Sequence, residues 1–389
     1  MQRDQGVGLV RRALDIVERQ TPELADAYLR VPLDCYRSET VAAADRELFE
    51  TSPLALAAST ELARPYDYLA RQAVNRSVLL TRDADGVAHA FLNACRHRGA
   101  EPARGCGNAR TFVCPYHAWA YDTKGRLVGM PLADRYTDLD HSELGLVELP
   151  SEERHGFVWV VLRPGAPIDV AAHLGELDAE LGALGCDRMH YYNSLEEEPL
   201  AANWKSVTEG LLEALHVPYV HADTFALNPQ AADVDLGSFD AVGPHVRWAL
   251  PMFTASDVER IRATPDDEWD PASLIACVWW ISPGLLLAQE YYGLIYADLG
   301  PGPTPGEAVF RYGWLSPTLE APEGLPGPAE MAARAARAVR QDKPVWEGCG
   351  RGLRDGAHES ALIGRNERGV QLLHESVARQ TGYTGLRYG

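Results

Sequence analysis

The 389-residue chain has no apolar run approaching a membrane span, which takes about 20 consecutive apolar residues. Its first ten residues, MQRDQGVGLV, contain no apolar stretch of the kind a secretory signal carries. A soluble, cytoplasmic protein is therefore expected. Positive charge is also scarce: 36 Lys and Arg stand against 55 Asp and Glu, a net charge of −19. That balance argues against a nucleic-acid surface and for a self-repelling, soluble chain. Cysteine is sparse, and its count of seven is odd. Cys35, Cys106, Cys186, Cys277 and Cys349 have no ligand-like spacing, so they read as reduced, buried structural thiols. There is no internal repeat and no low-complexity tract. The run GCGRG at 348–352 follows no strand and has the wrong glycine spacing for a dinucleotide fingerprint.

The length allows two domains with ample core. Residues 1–45 read as a helical segment packing on the larger, C-terminal domain, with LVRRALDIVERQ periodic and Pro22 and Pro32 as punctuation. From Val74 the texture changes. VLLTRDADGVAHAFLNA is two β-runs joined by an Asp-Gly turn, TFVCPYHAWAYDTKGRLVG repeats the pattern with Asp122–Gly125 as its turn, and GFVWVVLRPG is a further strand. Residues 46–165 are thus expected to form a compact β domain. After PIDVAAHLGELDAELGALG, a linker helix, residues 166–389 mix strands with helices over 204–216, about 328–341 and 366–380. Strand runs followed by long helices indicate an α+β domain.

The β domain carries Cys95-Arg96-His97, then sixteen residues, then Cys114-Pro115-Tyr116-His117. Zinc also accepts two cysteines and two histidines, but its modules usually pair like with like. Here each loop offers one of each, which suits a [2Fe–2S] cluster with cysteines on one iron and histidines on the other. Neutral imidazoles raise the potential of such a cluster to about −150 to +300 mV, within reach of an ordinary ferredoxin or flavin donor.

A second constellation lies in NWKSVTEGLLEALHVPYVH, residues 203–221. At 100° per residue, Trp204, Val207, Leu211 and Leu215 share one helical face, and Glu209, Glu213 and His216 the opposite one. A solvated polar stripe would read much the same. This stripe ends in a histidine, however, and Pro218 is expected to break the helix between His216 and His221, letting the second imidazole fold back beside the first. Two imidazoles on one metal, with Glu213 supporting His216, is the arrangement this suggests.

CRHRGA followed by CPYHAWAYDTKGRLVGMP resembles the Rieske domain of Rieske non-haem iron oxygenases, the ring-hydroxylating oxygenase α-subunit family, and NWKSVTEGLLEALHVPYVH resembles that family's mononuclear-iron helix. The resemblance runs from about 40 to 385. It implies a fold of class α+β: an N-terminal β-rich Rieske [2Fe–2S] domain, then a helix-grip (START-like) catalytic domain whose antiparallel sheet wraps a long C-terminal helix. It implies that Cys95 and Cys114 bind one cluster iron and His97 and His117 the other, and that His216 and His221 bind a mononuclear Fe(II). Two histidines and one carboxylate leave iron positions open for O2 and substrate. By resemblance the carboxylate is Asp342 in RQDKPVWEGCGRGL, with Glu347, then Asp355 and Glu359, as substitutes. Glu213 would bridge this site to a Rieske histidine, expected to be His117 of a neighbouring subunit in a head-to-tail homotrimer; Glu209 would hydrogen-bond near the site or line the electron path.

The implied activity is that of a terminal oxygenase. It would use O2, with NAD(P)H electrons delivered by a separate reductase and, in some systems, a ferredoxin. It would hydroxylate, cis-dihydroxylate or oxidatively demethylate a small organic, aromatic or other, substrate. DKPVWE inclines the reading toward monooxygenation. The rival is a Rieske electron carrier with a small-molecule-binding helix-grip domain and no mononuclear iron. The chain departs from the family pattern at Ala118 and Tyr66, where glycine is usual, at Ala120, and at Gly210, where asparagine is usual. Trp280, Leu286 and Gln289 are expected to line the substrate pocket. His89, His141, His155, His173, His190, His245, His358 and His374 lack ligand spacing and carry no assigned role.

Overall fold

The computed structural model describes residues 3–192, 198–224 and 236–389. The chain divides into two compact units, one made of Phe49–His173 with Gly185–Met189, the other of Met1–Leu48, Leu174–Leu184 and His190–Gly389.

The first unit is mostly strand and turn, with a few helices of a single turn. Asp67–Ala73, Arg76–Arg82 and Ala88–Leu92 form the centre of a five-stranded sheet, completed by Cys106–Asn108 at one edge and Glu148–Leu149 at the other. The Asp-Gly turn falls where the sequence puts it, with Gly86 at φ 84° between Arg76–Arg82 and Ala88–Leu92. Thr111–Val113, Ala120–Asp122 and Leu127–Gly129 form a separate small sheet. Its turn is tied by the Asp122 carboxylate, which accepts from the Lys124 N–H at 3.0 Å and the Arg126 N–H at 2.9 Å. A Cβ on Gly125 would lie 2.5 Å from the Phe91 ring, so the turn can close only on glycine. The unit runs on to His173 because the Val170 N–H bonds the Glu152 carboxylate at 3.0 Å and the His173 ring meets Trp159 edge-on at 6.3 Å.

The second unit is built on an antiparallel sheet. In spatial order its strands are His190–Tyr192, Ala308–Ser316, Gly293–Pro301, Leu285–Glu290, Ile275–Ile281, His245–Pro251 and Ser238–Val242, with Glu198–Leu200 also pairing Ala308–Ser316. Helix Pro328–Asp355 packs on Ala308–Ser316, and Arg368–Thr381 packs on His245–Pro251. The long helix spans 28 residues and continues through Pro344, well past the end expected near 341. A proline inside a helix costs about 3 kcal/mol. The buried series Met331, Ala332, Ala335, Ala336, Val339, Asp342 and Trp346 keeps helical spacing across it, and that burial offsets the loss.

Strand alternation decides which side chains meet this helix. Trp280, Leu286, Ala297 and Tyr312 form one cross-strand row, on the face that also carries Phe310, whose ring lies 5.7 Å from that of Trp346. Gln289 faces the other way. It pairs with the Cys277 N–H at 2.9 Å and lines a cleft with Arg3, Ala183, Asp270 and Trp279, so it is not a pocket residue on the long-helix side. An odd-numbered position on this strand simply points to the opposite face from Leu286.

Candidate metal centres

In the first unit, Cys95 and Cys114 open two tight loops. The Cys95 N–H bonds the Ala100 carbonyl at 2.9 Å and the Gly99 N–H returns to the Cys95 carbonyl at 2.8 Å; in the other loop the Cys114 N–H bonds Trp119 at 2.8 Å and the Ala118 N–H bonds Cys114 at 3.0 Å. Both thiols are free and buried in one cluster with Phe91, Phe112, Trp119 and Tyr121; of the other five, Cys35, Cys186 and Cys277 are buried as expected, whereas Cys106, on an edge strand, and Cys349, in the long helix, are exposed. His97 stacks on Trp119, centroids 4.9 Å apart and planes within 11°, and its ring lies 4.5 Å from that of His117. His117 is exposed. Desolvation and the neighbouring His97 and Arg98 lower its pKa, which keeps the imidazole neutral and able to act as a ligand. The Nδ1 atom of His97 is buried without a hydrogen-bond partner among the described residues. Such an orphan costs about 1–3 kcal/mol unless something binds it. Two unoxidised buried thiols beside two neighbouring imidazoles, one with an idle nitrogen, fit an iron–sulfur cluster.

One contributor lies within the second motif, which by itself assigns it no role. The Arg96 N–H donates to the Tyr121 hydroxyl at 3.0 Å, leaving the phenol hydrogen for Cys95 Sγ at 3.2 Å. Burial and the Cys95 contact raise the Tyr121 pKa, so the phenol stays protonated as a donor. Only its place on a strand beside the loop hints at this role.

Two departures from the family pattern acquire a geometric meaning. Ala118 has φ 57° and Tyr66 φ 72°, the left-handed region that glycine occupies freely. Tyr66 stacks against Arg110, 4.2 Å from guanidinium carbon to ring centroid, which compensates its strain. Ala118 is exposed and has no such compensation. Ala118→Gly is therefore expected to stabilise this unit by about 1 kcal/mol, measurable as a raised denaturation midpoint of the cluster absorbance. A Cβ added at Gly129 would lie 3.2 Å from that of Ala120, its cross-strand partner, so this pair is closely packed.

In the second unit, Asn203 caps helix Trp204–Leu211 by accepting from the Lys205 N–H at 2.9 Å. The helix is anchored from beneath. Lys205 and Asp45 form a wholly buried ion pair, and Trp204 Nε1 donates to the same carboxylate at 3.0 Å. The helix ends at Leu211, earlier than the sequence suggests, and a one-turn helix, Val217–Val220, follows. The break therefore precedes His216 and does not separate the two histidines. Pro218 lies in the first turn of the short helix, where a missing N–H costs no hydrogen bond. The Glu213 carboxylate takes the Leu215 and His216 N–H groups at the break and so fixes the turn.

His216 and His221 flank the one-turn helix, with ring centroids 5.2 Å apart. The Nδ1 of His216 is bonded to Glu213, and the Nδ1 of His221 to Gln341 Oε1 at 3.0 Å. With Nδ1 carrying the proton, both Nε2 lone pairs point to Asp342 Oδ1, at 3.8 Å from His216 and 3.0 Å from His221. The three ligand atoms lie within 4.8 Å of one another, the one such group among the described residues. Asp342 arrives from the long helix; Glu347, Asp355 and Glu359 are outside the group. This is the donor set of a mononuclear iron site with open positions.

Two of the three, His216 and Asp342, border a cavity of about 420 Å3 whose wall also includes Glu209, Glu213 and Trp346. A Cβ on Gly210 would lie 2.5 Å from the Trp346 indole nitrogen, so the indole fills the space that a larger side chain would need. Glu209 accepts from His374 Nε2 at 2.8 Å and from the Tyr36 hydroxyl at 2.7 Å. His374, which spacing leaves without a role, is thus part of the wall's supporting network. Burial opposes its charge, but hydrogen bonds with Cys35 and Glu209 prevail and push its pKa up to about 9.

A small β domain with paired Cys-His loops, joined to a sheet-and-helix domain holding two histidines and a carboxylate, is the architecture of a Rieske oxygenase α subunit. The chain belongs to the ring-hydroxylating family: residues 181–382, just over half of it, match the ring hydroxylating alpha subunit catalytic domain, and residues 52–148 match the Rieske [2Fe–2S] domain. That family carries a [2Fe–2S] cluster and a mononuclear iron that works with O2. The chain is 30% identical over 201 residues to the carnitine monooxygenase oxygenase subunit of Escherichia coli K12, covering 49% of this chain and 52% of that protein. It is 33% identical over 273 residues to the chloroplastic choline monooxygenase of Beta vulgaris, covering 68% and 53%. It spans about half the length of the curated relatives it matches. In fold it is similar to a quaternary ammonium Rieske monooxygenase in complex with L-carnitine, with TM-score 0.75, 22% identity and coverage of 92% and 96%. It also resembles naphthalene 1,2-dioxygenase from Rhodococcus sp. bound to indole, with TM-score 0.73, 19% identity and coverage of 96% and 98%.

Proposed function

We propose that this protein is the terminal oxygenase of a Rieske system, using O2 and NAD(P)H-derived electrons from a separate reductase, with or without a ferredoxin, to oxidise a small organic substrate. The observation that carries the reading is the convergence of His216 Nε2, His221 Nε2 and Asp342 Oδ1 within 4.8 Å. In this reading Cys95 and Cys114 hold one cluster iron, His97 and His117 the other, and the triad holds Fe(II). When bound, the cluster supplies single electrons and the mononuclear iron activates O2.

The chain's own groups do the positioning. Glu213 and Gln341 hold both imidazoles in the tautomer that presents Nε2. Trp346, one turn after Asp342 on the long helix, is buried against Phe310. Glu213 lines the cavity, where its carboxylate would accept a hydrogen bond from the exposed His117 of a second copy. A closed head-to-tail trimer would satisfy every such pair. Exposed apolar side chains beside each set of metal residues, Val113 and Tyr116 in one unit and Leu215, Tyr219 and Val345 in the other, support an assembly of this kind. Relatives named for carnitine and choline monooxygenation favour insertion of one oxygen atom, by hydroxylation or oxidative demethylation, over cis-dihydroxylation. No helix among the described residues is long and apolar enough to cross a membrane, in keeping with a place in the cytoplasm.

Metal analysis of the purified protein tests this directly. About three irons per chain and a red-brown visible spectrum are expected. Two irons with the same colour would indicate an electron carrier, and a colourless zinc protein would overturn the reading altogether.

A further inference from the structure

Glu290 ends strand Leu285–Glu290, opposite Gly293 and two residues from Ala288. It shares the sheet face of Leu286, and hence of Trp280 and Tyr312, the face on which the helix bearing Asp342 packs. The side chain is only 14% exposed, yet it makes no hydrogen bond among the described residues. The charged group nearest to it there, Arg334, stays 3.9 Å away. That guanidinium is engaged elsewhere: it donates to the Tyr291 hydroxyl at 2.8 Å and the Thr224 carbonyl at 2.9 Å, and lies 5.1 Å over the Tyr291 ring.

The surroundings connect this carboxylate to the metal residues. Tyr312 is buried, and its pKa is raised by burial and then by the fields of Glu290 and Asp342, so one phenol feels both acids. Trp280 is 1% exposed, and its indole N–H has no partner among the described residues. Burial pushes the Glu290 carboxyl up to about 7, against the opposing pull of Arg334.

We infer that Glu290 is a specificity-determining residue that selects a substrate bearing a positively charged nitrogen, a small organic ammonium held between this carboxylate and the aromatic side chains of the inner sheet face. A cation would neutralise a carboxylate that accepts no hydrogen bond among the described residues and has only a loose ion pair, at 3.9 Å, with Arg334, and it gains from the faces of Trp and Tyr rings, whereas a neutral hydrocarbon would leave the acid with that loose pair alone. The inference rests on the reading of the triad as the reacting centre, because it takes this face of the sheet as the substrate wall.

The test compares two cations with their uncharged carbon isosteres on the iron-loaded protein by calorimetry: choline against 3,3-dimethylbutan-1-ol, and benzyltrimethylammonium against neopentylbenzene. The cation of at least one pair is expected to bind tenfold or more tightly than its isostere. Glu290→Gln should erase that preference while changing the neutral compound's affinity less than twofold, and Glu290→Asp should keep part of it. Cluster absorbance and thermal midpoint, unchanged in the variants, establish that they fold. Absence of a cation preference in both pairs, or its survival in Glu290→Gln, overturns the inference. Iron content measured on the same samples separates this outcome from failure of the oxygenase reading: a protein with two irons that still prefers cations refutes only the latter.

Discussion

His216→Ala is expected to lower the iron content from about three to about two per chain, leave the visible cluster spectrum unchanged and reduce turnover below about 1% of the unmodified protein. The physical case is local. His216 supplies one of three converging donors, and the remaining pair, His221 and Asp342, would be two ligands on a site that needs three. The substitution leaves the fold's anchors intact, because helix Trp204–Leu211 is held by Lys205, Asp45 and Trp204, not by the imidazole. Metal analysis, the visible spectrum and NADH-linked O2 consumption measured on one preparation check all three parts. Retained turnover at two irons per chain would sink the triad as the reacting centre.

Glu213 gives the second large effect. Glu213→Ala removes the acceptor for His216 Nδ1 and the cap on the Leu215 and His216 N–H groups. Loss of such a supporting partner typically weakens metal affinity or activity by about 10–100-fold. Turnover should fall further than that, by more than about 100-fold, if this carboxylate is also the contact through which electrons enter from a second copy. Glu213→Gln separates the two roles: its amide oxygen can still accept one hydrogen bond, but it has no charge. In single-turnover experiments with substrate and O2, the reduced cluster of both variants is expected to stay reduced long after the unmodified protein's has been oxidised. Oxidation at the ordinary rate in Glu213→Gln, with iron content preserved, would leave Glu213 a positioning residue and remove it from the electron path.

Much of the candidate site is legible in the sequence because its donors come in short-range pairs. Cys95 with His97, Cys114 with His117, and His216 with His221 each lie within a few residues, and turn signals such as Gly99 and Pro115 mark the loops between. The end of helix Trp204–Leu211 is not legible, for a physical reason. Amphipathic periodicity continues through Leu215, but it does not register that Glu213 can satisfy the backbone itself and end the helix early. Pro218 is a special position, yet it starts a helix and does not break one, because a proline in a helix's first turn is compatible with helix. Pro328–Asp355 outruns its expected length because an interior proline's cost is local, while the burial that outweighs it is tertiary.

By itself the sequence determined the chemistry on offer: a mixed Cys-His donor set, a histidine pair and an acidic, β-then-α chain, all encoded in spacings of a few residues. Tertiary structure decided which distant groups complete them. Asp342 reaches His221 from the long helix, His374 reaches Glu209 across 165 positions, and Tyr121 turns its hydroxyl to Cys95. It also put Gln289 on one face of the sheet and Glu290 on the other. Periodicity and loop spacing report only how neighbours along the chain are oriented; which surfaces meet is set by packing an entire sheet against its helices.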